Sequence, residues 1–374
     1  MNTLHFSLPR RRLQRGFTLV ELMVGIVLGM LTVLVITQTM AVTEGKKRTI
    51  SSGSDAQVNG TLALYTLQRE LQMSGYGVAS NPVALGCPVK GKFKDPAAPA
   101  DSAAIDFAPV LAPVVIADGA DGAPDTITIL QGQTANFSAP MPVSTDHAKD
   151  AGAFEVGSSL GVTAGDLMIA VPRDGQYNAD QWCAVFSVTD DGNAESPTSA
   201  TLTARRIPHT TGSNPWNTSD VFPEAGYERG AFLLNLGRLS HRTYSIDNES
   251  LQVRAQTSGA ATSTAEDLYP QIVNLQAMYG KDTTGDGQID TYDNTTPTTA
   301  ADWERVLAVR LALVARSTQY ERDPVTTSAP QWQVGTGTPL TLRINHVSDW
   351  QHYRYKVYDT IVPLRNMLWN SKSS

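Results

Sequence analysis

The segment from Asp282 to Asp293 is acidic and rich in glycine, and its residue types and spacing match those of a metal-binding loop. Calcium takes about six to eight oxygen ligands, and the twelve-residue EF-hand loop supplies them from positions 1, 3, 5, 7, 9 and 12, with glycine at position 6. Gly287 stands at position 6 of this segment. We therefore predict one Ca²⁺ site, whose ligands would be Asp282, Thr284, Asp286, Gln288 through its carbonyl, Asp290 and Asp293.

Two features of this loop differ from an EF-hand. Position 12 is Asp293, which is one methylene shorter than the usual Glu, and the flanking residues predict a strand and a Thr/Pro-rich loop instead of paired helices. We expect weak affinity, about 10⁻⁴ to 10⁻³ M, as in extracellular modules. The alternative is an Asp/Gly turn that joins two strands, since turns select the same residues.

The sequence gives only weak support for nucleophilic catalysis. Residues Gly157 to Gly161 match the G-x-S-x-G pattern, but that elbow requires a helix directly after it, and Val162 to Val171 predicts a turn and then a strand. The six histidines show no i, i+4 pair on a predicted helix, so neither a zinc site nor a general base is indicated: His5, His147, His209, His241, His346 and His352. We expect no enzyme activity.

The two cysteines, Cys87 and Cys183, match no metal-ligand spacing. If the protein is exported, a disulfide between them is expected, and two buried free thiols are the alternative. The chain of 374 residues has a formal net charge of −7 and is 41% hydrophobic, which permits a sizeable core. An acidic body repels phosphate backbones, so nucleic acid is not an expected partner.

Residues 17–41 form an apolar run in which Glu21 is the only ionisable residue. A helix of this length extends about 37 Å, enough to cross a bilayer. The basic residues before it predict a cytoplasmic N-terminus and a body on the other side of the membrane: Arg10, Arg11, Arg12 and Arg15. The run is too long for an ordinary secretory signal and does not end in a small-residue cleavage site.

Glu21 is costly at this position, by about 2.5 to 3.5 kcal/mol on insertion scales, and such residues usually have a functional partner. If the chain is cut after Gly16, the new α-amine of Phe17 supplies a cation at neutral pH. That pair could form within one helix or between neighbouring helices, where it would set the axial register of a filament. The alternative is a glutamate that reaches the headgroups from the helix end.

We predict that residues 42–77 continue the helix outside the membrane and that Gly75 and Gly77 end it. Gly45, Gly53 and Gly60 weaken the join, where we expect a bend or local melting. A helical stripe should pack on the body, with apolar residues at Val58, Leu62 and Tyr65 and at Leu64, Leu67 and Leu71.

Residues 78–374 predict a body rich in antiparallel β-sheet, because short β-branched runs alternate with Gly, Pro, Asn and Asp clusters. The stretches 95–124 and 291–301 are loops by composition. The predicted strands are Thr126 to Gln131, Asp166 to Val171, Cys183 to Thr189, Ala231 to Leu236, Arg242 to Asp247, Leu251 to Ala255, Ile272 to Tyr279, Val306 to Arg316 and Arg354 to Val362. The fold class is therefore α+β, with a long N-terminal helix packed on this sheet-rich body.

The residues from Arg15 to Val24, with the sequence RGFTLVELMV, resemble the cleavage and methylation motif of type IV prepilins. The resemblance implies that residues 1–16 are a basic leader, that prepilin peptidase cuts between Gly16 and Phe17 and methylates the new amine, and that Glu21 acts in assembly. Pseudopilins share this motif.

Three further segments resemble the PilW-type minor pilins: Leu67 to Gly77, Val306 to Ser317 and Ile361 to Asn366. The resemblance implies a pilin-like fold and a subunit that helps to initiate pilus assembly and sits at the tip. Its implied partners are other minor pilins, the major pilin, prepilin peptidase, the inner-membrane assembly platform and a tip adhesin. The subunit would be anchored in the bacterial inner membrane before assembly and lie in the pilus at the cell surface afterwards. Alternatives are a J-type minor pseudopilin of type II secretion and a membrane-tethered enzyme or ligand-binding protein.

Overall fold

The computed structural model describes residues 16–79, 81–96, 98–99, 102–134, 139–192, 201–212, 214–218, 221–259, 264–335 and 337–368, without the side chains of 45–46 and 48–52. Most of the predicted leader, residues 1–15, lies outside the described residues. The helices are α1 (Leu19–Met73), α2 (Ala300–Glu304) and α3 (Arg365–Leu368). The strands are β1 (Val89–Phe93), β2 (Ile105–Phe107), β3 (Val114–Ala117), β4 (Thr126–Gln133), β5 (Met141–Pro142), β6 (Ala153–Glu155), β7 (Leu167–Val171), β8 (Cys183–Ser187), β9 (Arg206–Pro208), β10 (Phe232–Asp247), β11 (Ser250–Thr257), β12 (Glu266–Pro270), β13 (Ile272–Lys281), β14 (Thr291–Asp293), β15 (Val306–Arg316), β16 (Gln331–Trp332), β17 (Leu340–Thr341) and β18 (Tyr355–Pro363).

The chain divides into two compact units, Met1–Ser52 and Gly53–Ser374. Among its described residues, the first unit contains one helical segment, Leu19–Glu44, that is long and apolar enough to span a membrane, with a mean hydropathy of 2.7. None of this segment is buried within the protein. It overlaps the predicted span of residues 17–41.

In the second unit, α1 buries one face against the body. The buried positions recur every three or four residues, which is the spacing of one side of an α-helix, and they are Ala56, Gly60, Ala63, Leu67 and Leu71. Val58, Leu62 and Tyr65 lie on the opposite side and are 52%, 45% and 61% exposed. The predicted packing stripe is therefore correct for Leu67 and Leu71 and wrong for these three residues.

Within the second unit the helix is continuous through Gly60, so the local melting that was expected does not occur at this glycine. It ends where predicted, because Gly75 and Gly77 both have a positive φ, +73° and +79°. The N–H group of Gly75 donates to the carbonyl of Leu130 at 2.8 Å, which satisfies a backbone group at the turn.

Polar contacts also join α1 to the body. A hydrogen-bonded ion pair links Arg242 Nη1 of β10 to Glu70 Oε1 at 2.7 Å. Asn59 Nδ2 donates to Gln271 Oε1 at 2.9 Å, and the hydroxyls of Thr66 and Tyr269 lie 2.8 Å apart. These polar contacts orient the helix on the sheets, in addition to the apolar contacts of Leu67 and Leu71.

The larger sheet has ten strands, and its main path runs β12-β11-β10-β7-β8-β1-β2. Two predicted strands, 231–236 and 242–247, are a single strand of 16 residues, β10. The register of β10 shifts at Gly237 against both β4 and β7, so a bulge interrupts the apolar alternation without ending the strand. Most pairs are antiparallel as predicted, but β1 and β8 are parallel.

The second sheet has four strands in the order β14-β13-β15-β18. The main hydrophobic core contains residues of α1 and of both sheets, whereas a second core of aromatic and aliphatic residues surrounds Phe154. The predicted loops 95–124 and 291–301 contain β2, β3, β14 and part of α2. The confirmed architecture is thus a long N-terminal helix with a large β-rich body in which antiparallel pairs predominate.

Candidate functional site

The start of α1 is a capping box made by Thr18 and Glu21. Thr18 Oγ1 accepts a hydrogen bond from the N–H of Glu21 at 3.3 Å, and Glu21 Oε2 accepts one from the N–H of Thr18 at 3.5 Å. Such a box satisfies two of the backbone N–H groups that a helix N-terminus leaves without intrahelical partners. Phe17, which precedes it, is 84% exposed. The sequence contains the pattern T-x-x-E, which could have indicated this local role of Glu21 in addition to the predicted assembly role.

The predicted disulfide is present between Cys87 and Cys183, with Cα atoms 6.0 Å apart. Val89, two residues after the first cysteine, lies opposite Cys183 in the parallel pair of β1 and β8. Both cysteines are fully buried. The bridge therefore joins the segment after α1 to the centre of the larger sheet, and the alternative of two free thiols is wrong.

The loop at Asp282 has the glycine turn that the calcium hypothesis requires. Gly287 has a φ of +81°, and its N–H donates to Asp282 Oδ2 at 2.7 Å. Asp290 Oδ2 accepts hydrogen bonds from the N–H groups of Thr283 at 2.7 Å and Thr284 at 2.9 Å. Backbone donors therefore hold the carboxylates at the predicted positions 1 and 9.

Both of these carboxyl groups are stabilised in the ionised form. Burial acts to raise the pKa of Asp282, but the N–H groups of Gly287 and Gly285 outweigh it, and the pKa is lowered. The side-chain and backbone hydrogen bonds from Thr283 lower the pKa of Asp290. The two groups remain anionic to lower pH than an ordinary aspartate.

The other predicted ligands have different contacts. Asp286 Oδ1 accepts a hydrogen bond from the N–H of Gln288 at 2.8 Å. Asp293 Oδ1 forms an ion pair with Lys281 Nζ at 2.6 Å and also accepts from the N–H of Thr295 at 2.8 Å. Among the residues that the structure describes, no group of three or more His, Cys, Asp or Glu side chains is arranged to hold a metal ion. Calcium binding stays a prediction.

The G-x-S-x-G segment lines a cleft of about 720 Å³ together with Met141 and Asn235. Ser159 is buried and donates its hydroxyl hydrogen to the carbonyl of Thr203 at 2.6 Å, and Ser158 Oγ accepts from the N–H of Leu160 at 3.3 Å. The chain continues through a turn into β7, as predicted, and not into a helix. The geometry of a nucleophile elbow is therefore not formed here.

His147 and His209 form a buried pair that the sequence did not predict. His147 and His209 are each 3% exposed, and their Nε2 atoms lie 2.8 Å apart. The imidazole of His147 stacks on Phe154 with ring centroids 3.6 Å apart. Because the two histidines are 62 residues apart in sequence and neither is on a helix, no local spacing could have paired them.

Comparison with known families gives two matches. Residues 11–37 match the prokaryotic N-terminal methylation motif, and residues 240–366 match type IV pilus-assembly protein W. Among solved structures, a type IV-like pilin from Thermus thermophilus is similar at 11% identity and a TM-score of 0.31, over 83% of this chain and 96% of that one. No curated protein matches the chain.

The apolar N-terminal helix, the methylation motif and the β-rich body define a type IV pilin-like protein. The match at residues 240–366, which runs from within β10 into α3, is more specific, because the N-terminal methylation motif is shared by pseudopilins. Together the two family matches confirm the predicted resemblance to the PilW-type minor pilins of type IV pili.

Proposed function

We propose that this chain is a minor pilin that takes part in initiating type IV pilus assembly and lies at the pilus tip. The proposal depends on the presence of two features in one chain. The methylation motif at residues 11–37 is expected of any subunit that enters such a filament, and the match to pilus-assembly protein W at residues 240–366 favours an assembly role.

In this proposal prepilin peptidase cuts between Gly16 and Phe17 and methylates the new amine of Phe17. The precursor crosses the inner membrane once, with its N-terminus in the cytoplasm, and the processed subunit reaches the pilus at the cell surface. The exposed apolar segment Leu19–Glu44 supports both states, because it can contact lipid before assembly and the helices of other subunits afterwards.

Glu21 is proposed to direct entry into the filament. Its carboxylate is held at the first turn of α1 by Thr18, next to the site of the new amine at Phe17. In an apolar helical bundle, an unpaired carboxylate is costly, so pairing with the amine of a neighbouring subunit would select one axial register.

The proposed partners are other minor pilins, the major pilin, the peptidase, the inner-membrane assembly platform and a tip adhesin. The acidic composition gives no reason to add nucleic acid. A calcium ion in the loop Asp282–Asp293 is a separate proposal, supported by the positive φ of Gly287 and by its hydrogen bond to Asp282.

Intact-mass analysis of the membrane-extracted protein tests the central proposal. The expected N-terminus is Phe17 with one methyl group. Cells that lack the peptidase serve as the control and should retain Met1. Retention of Met1 in cells with active peptidase would contradict the proposal.

A J-type pseudopilin of type II secretion is the second candidate, because it would share the N-terminal motif. A deletion strain separates the two candidates. Loss of surface pili with normal enzyme secretion supports the pilus role, and loss of secreted enzymes with normal pili supports the pseudopilin role.

A further inference from the structure

Strand β18 forms one edge of the four-stranded sheet. It pairs with β15 across nine consecutive residues, Tyr355 to Pro363, without a register shift. The other edge strand of this sheet, β14, has only three residues. The edge strands of the larger sheet, β12, β2, β3 and β5, have five, three, four and two residues. β18 is therefore the longest and most regular sheet edge in the part of the chain that the structure describes.

Two hydrogen bonds fix which backbone groups of β18 face outward. Leu364 N–H donates to the carbonyl of Leu307 at 2.9 Å, and Ser317 N–H donates to the carbonyl of Arg354 at 2.8 Å. Since successive residues of a strand point their backbone groups to opposite sides, the even-numbered residues of β18 bond to β15. The odd-numbered residues, which face away from the sheet, are Tyr355, Val357, Asp359, Ile361 and Pro363.

The outward N–H groups form a row along this edge. Within the described residues, no backbone or side-chain acceptor bonds the N–H groups of Tyr355, Val357, Asp359 or Ile361. Ile361 is 46% exposed, so the strand also presents an apolar side chain there. A row of unpaired N–H and C=O groups is a template for the addition of another strand, and native proteins usually shorten such edges, which is not the case for the nine residues of β18.

We propose that β18 is a docking edge for an extended segment of a different polypeptide, which adds to the sheet as its fifth strand. The proposal rests on the proposed function in one respect, since it takes this polypeptide to be another component of pilus assembly. Main-chain hydrogen bonds would supply affinity, and the side chains beside them would supply specificity. The added segment should place an apolar residue beside Ile361 and an acidic residue beside the exposed Lys356.

The sequence of the strand disfavours a second copy of this chain as the occupant. Antiparallel self-pairing of all nine residues would be centred on Asp359, which would then lie opposite the Asp359 of the other copy. Like charges directly opposite each other destabilise a strand pair, although each Asp359 is partly offset here by Arg310 Nη2 of its own chain at 3.2 Å. The same register would set Pro363, which has no N–H, opposite Tyr355 and so remove a hydrogen bond at each end.

Photo-crosslinking in cells that assemble pili tests the docking edge on the full chain. A p-benzoylphenylalanine residue replaces Thr360, a half-buried residue of β18 that has no proposed contact with the added segment, and the crosslinked product is identified by mass spectrometry. Ile361→Pro removes an outward N–H while leaving the bonds to β15 in place, whereas Ile361→Ala loses only the side chain and serves as the matched control. We expect a crosslink to another pilus component that falls about tenfold with Ile361→Pro and persists with Ile361→Ala.

Each result has a defined meaning. A crosslink to a second copy, no crosslink at all, or an equal yield in Ile361→Pro would overturn the docking edge. If Ile361→Pro fails to fold, as judged by its melting temperature, Asp359→Pro replaces it and has Asp359→Ala as its control. The N-terminus is read in the same cells. Phe17 at the N-terminus without a crosslink refutes the edge alone, and Met1 at the N-terminus refutes the proposed function.

Discussion

His147 and His209 form a direct imidazole pair, with their Nε2 atoms 2.8 Å apart, inside the core that surrounds Phe154. One ring must donate and the other must accept, so the pair requires at least one neutral imidazole. Burial lowers the pKa of His147 to about 4, and burial together with the charge of His147 lowers the pKa of His209 to about 3.

This pair should make the protein less stable in acid. Both folded-state pKa values lie below the ordinary value of 6.5, so the unfolded chain binds more protons. Their contribution to the free energy of unfolding is therefore complete above pH 6.5 and is lost as the pH falls towards 4. Each histidine costs about 1.36 kcal/mol for each pH unit in that range. Denaturant unfolding of the full chain in detergent at several pH values measures this slope.

The double variant with His147→Phe and His209→Leu should have a flatter pH profile than the wild type. His346→Ala, at an exposed position, serves as the control for the removal of a histidine. Asp125, whose pKa burial raises to about 6, contributes a slope of the opposite sign, so the profiles are compared between variants. Parallel profiles for the wild type and the double variant would show that the two histidines bind protons as readily in the folded protein as in the unfolded chain.

Two substitutions of Glu21 separate its charge from its capping role. Glutamine can still close the capping box with Thr18 but has no charge, and valine has neither property. If the charge is required for filament entry, Glu21→Gln and Glu21→Val should both insert in the membrane and both be absent from sheared filaments. Immunoblots of membrane and sheared fractions measure this. Normal incorporation of Glu21→Gln would mean that capping, and not charge, is the function of this residue.

The bridge between Cys87 and Cys183 should stabilise the body substantially. It closes a loop with a sequence separation of 96, for which the chain-entropy model gives up to about 4.7 kcal/mol, and measured values are typically about 2 to 4. We expect the free energy of unfolding of the double Cys→Ser variant to be lower than that of the wild type by about 2 to 4 kcal/mol. Its denaturation midpoint should therefore lie at a lower denaturant concentration. Alkylation of the native protein without reductant should label neither cysteine, and full labelling would contradict the bridge.

In the loop Asp282–Asp293, Asp293 Oδ1 is ion-paired with Lys281, whose positive charge opposes the approach of a calcium ion. Millimolar calcium should raise the melting temperature of the full chain in detergent, and Asp286→Ala should abolish the rise. Lys281→Met removes the competing cation and should increase the affinity. If several millimolar calcium gives no shift in the wild type or in Lys281→Met, the loop is a turn only.

Gly60 should respond to alanine in opposite directions in two backgrounds. A Cβ at this position would lie 2.4 Å from Cε2 of Tyr358, so Gly60→Ala should destabilise the protein by about 1 to 3 kcal/mol through overpacking. In a Tyr358→Ala background the same change should stabilise it by up to about 1 kcal/mol, because alanine is the better helix former. Equal effects of Gly60→Ala in both backgrounds, measured by urea unfolding, would show that Tyr358 does not require the glycine.

The sequence by itself determined the features that depend on neighbouring residues. The apolar run around Glu21 predicts the candidate membrane span Leu19–Glu44, since about twenty consecutive apolar residues are long enough to cross a bilayer. Gly75 and Gly77 end α1 because their positive φ is available to glycine at little steric cost. The strand Val306–Arg316 was predicted with its observed bounds, because its continuous apolar pattern indicates a buried strand.

Other features depended on which distant residues meet. An amphipathic pattern placed apolar residues on two sides of α1, and only packing against the sheets decided that Leu67 is buried and Val58 is not. The local pattern predicted two strands, but β10 is one strand whose register shifts at a bulge at Gly237. The pairing of His147 with His209 and the outer position of β18 follow from sheet order, which is set by contacts between residues far apart in sequence and has no signature in a local window.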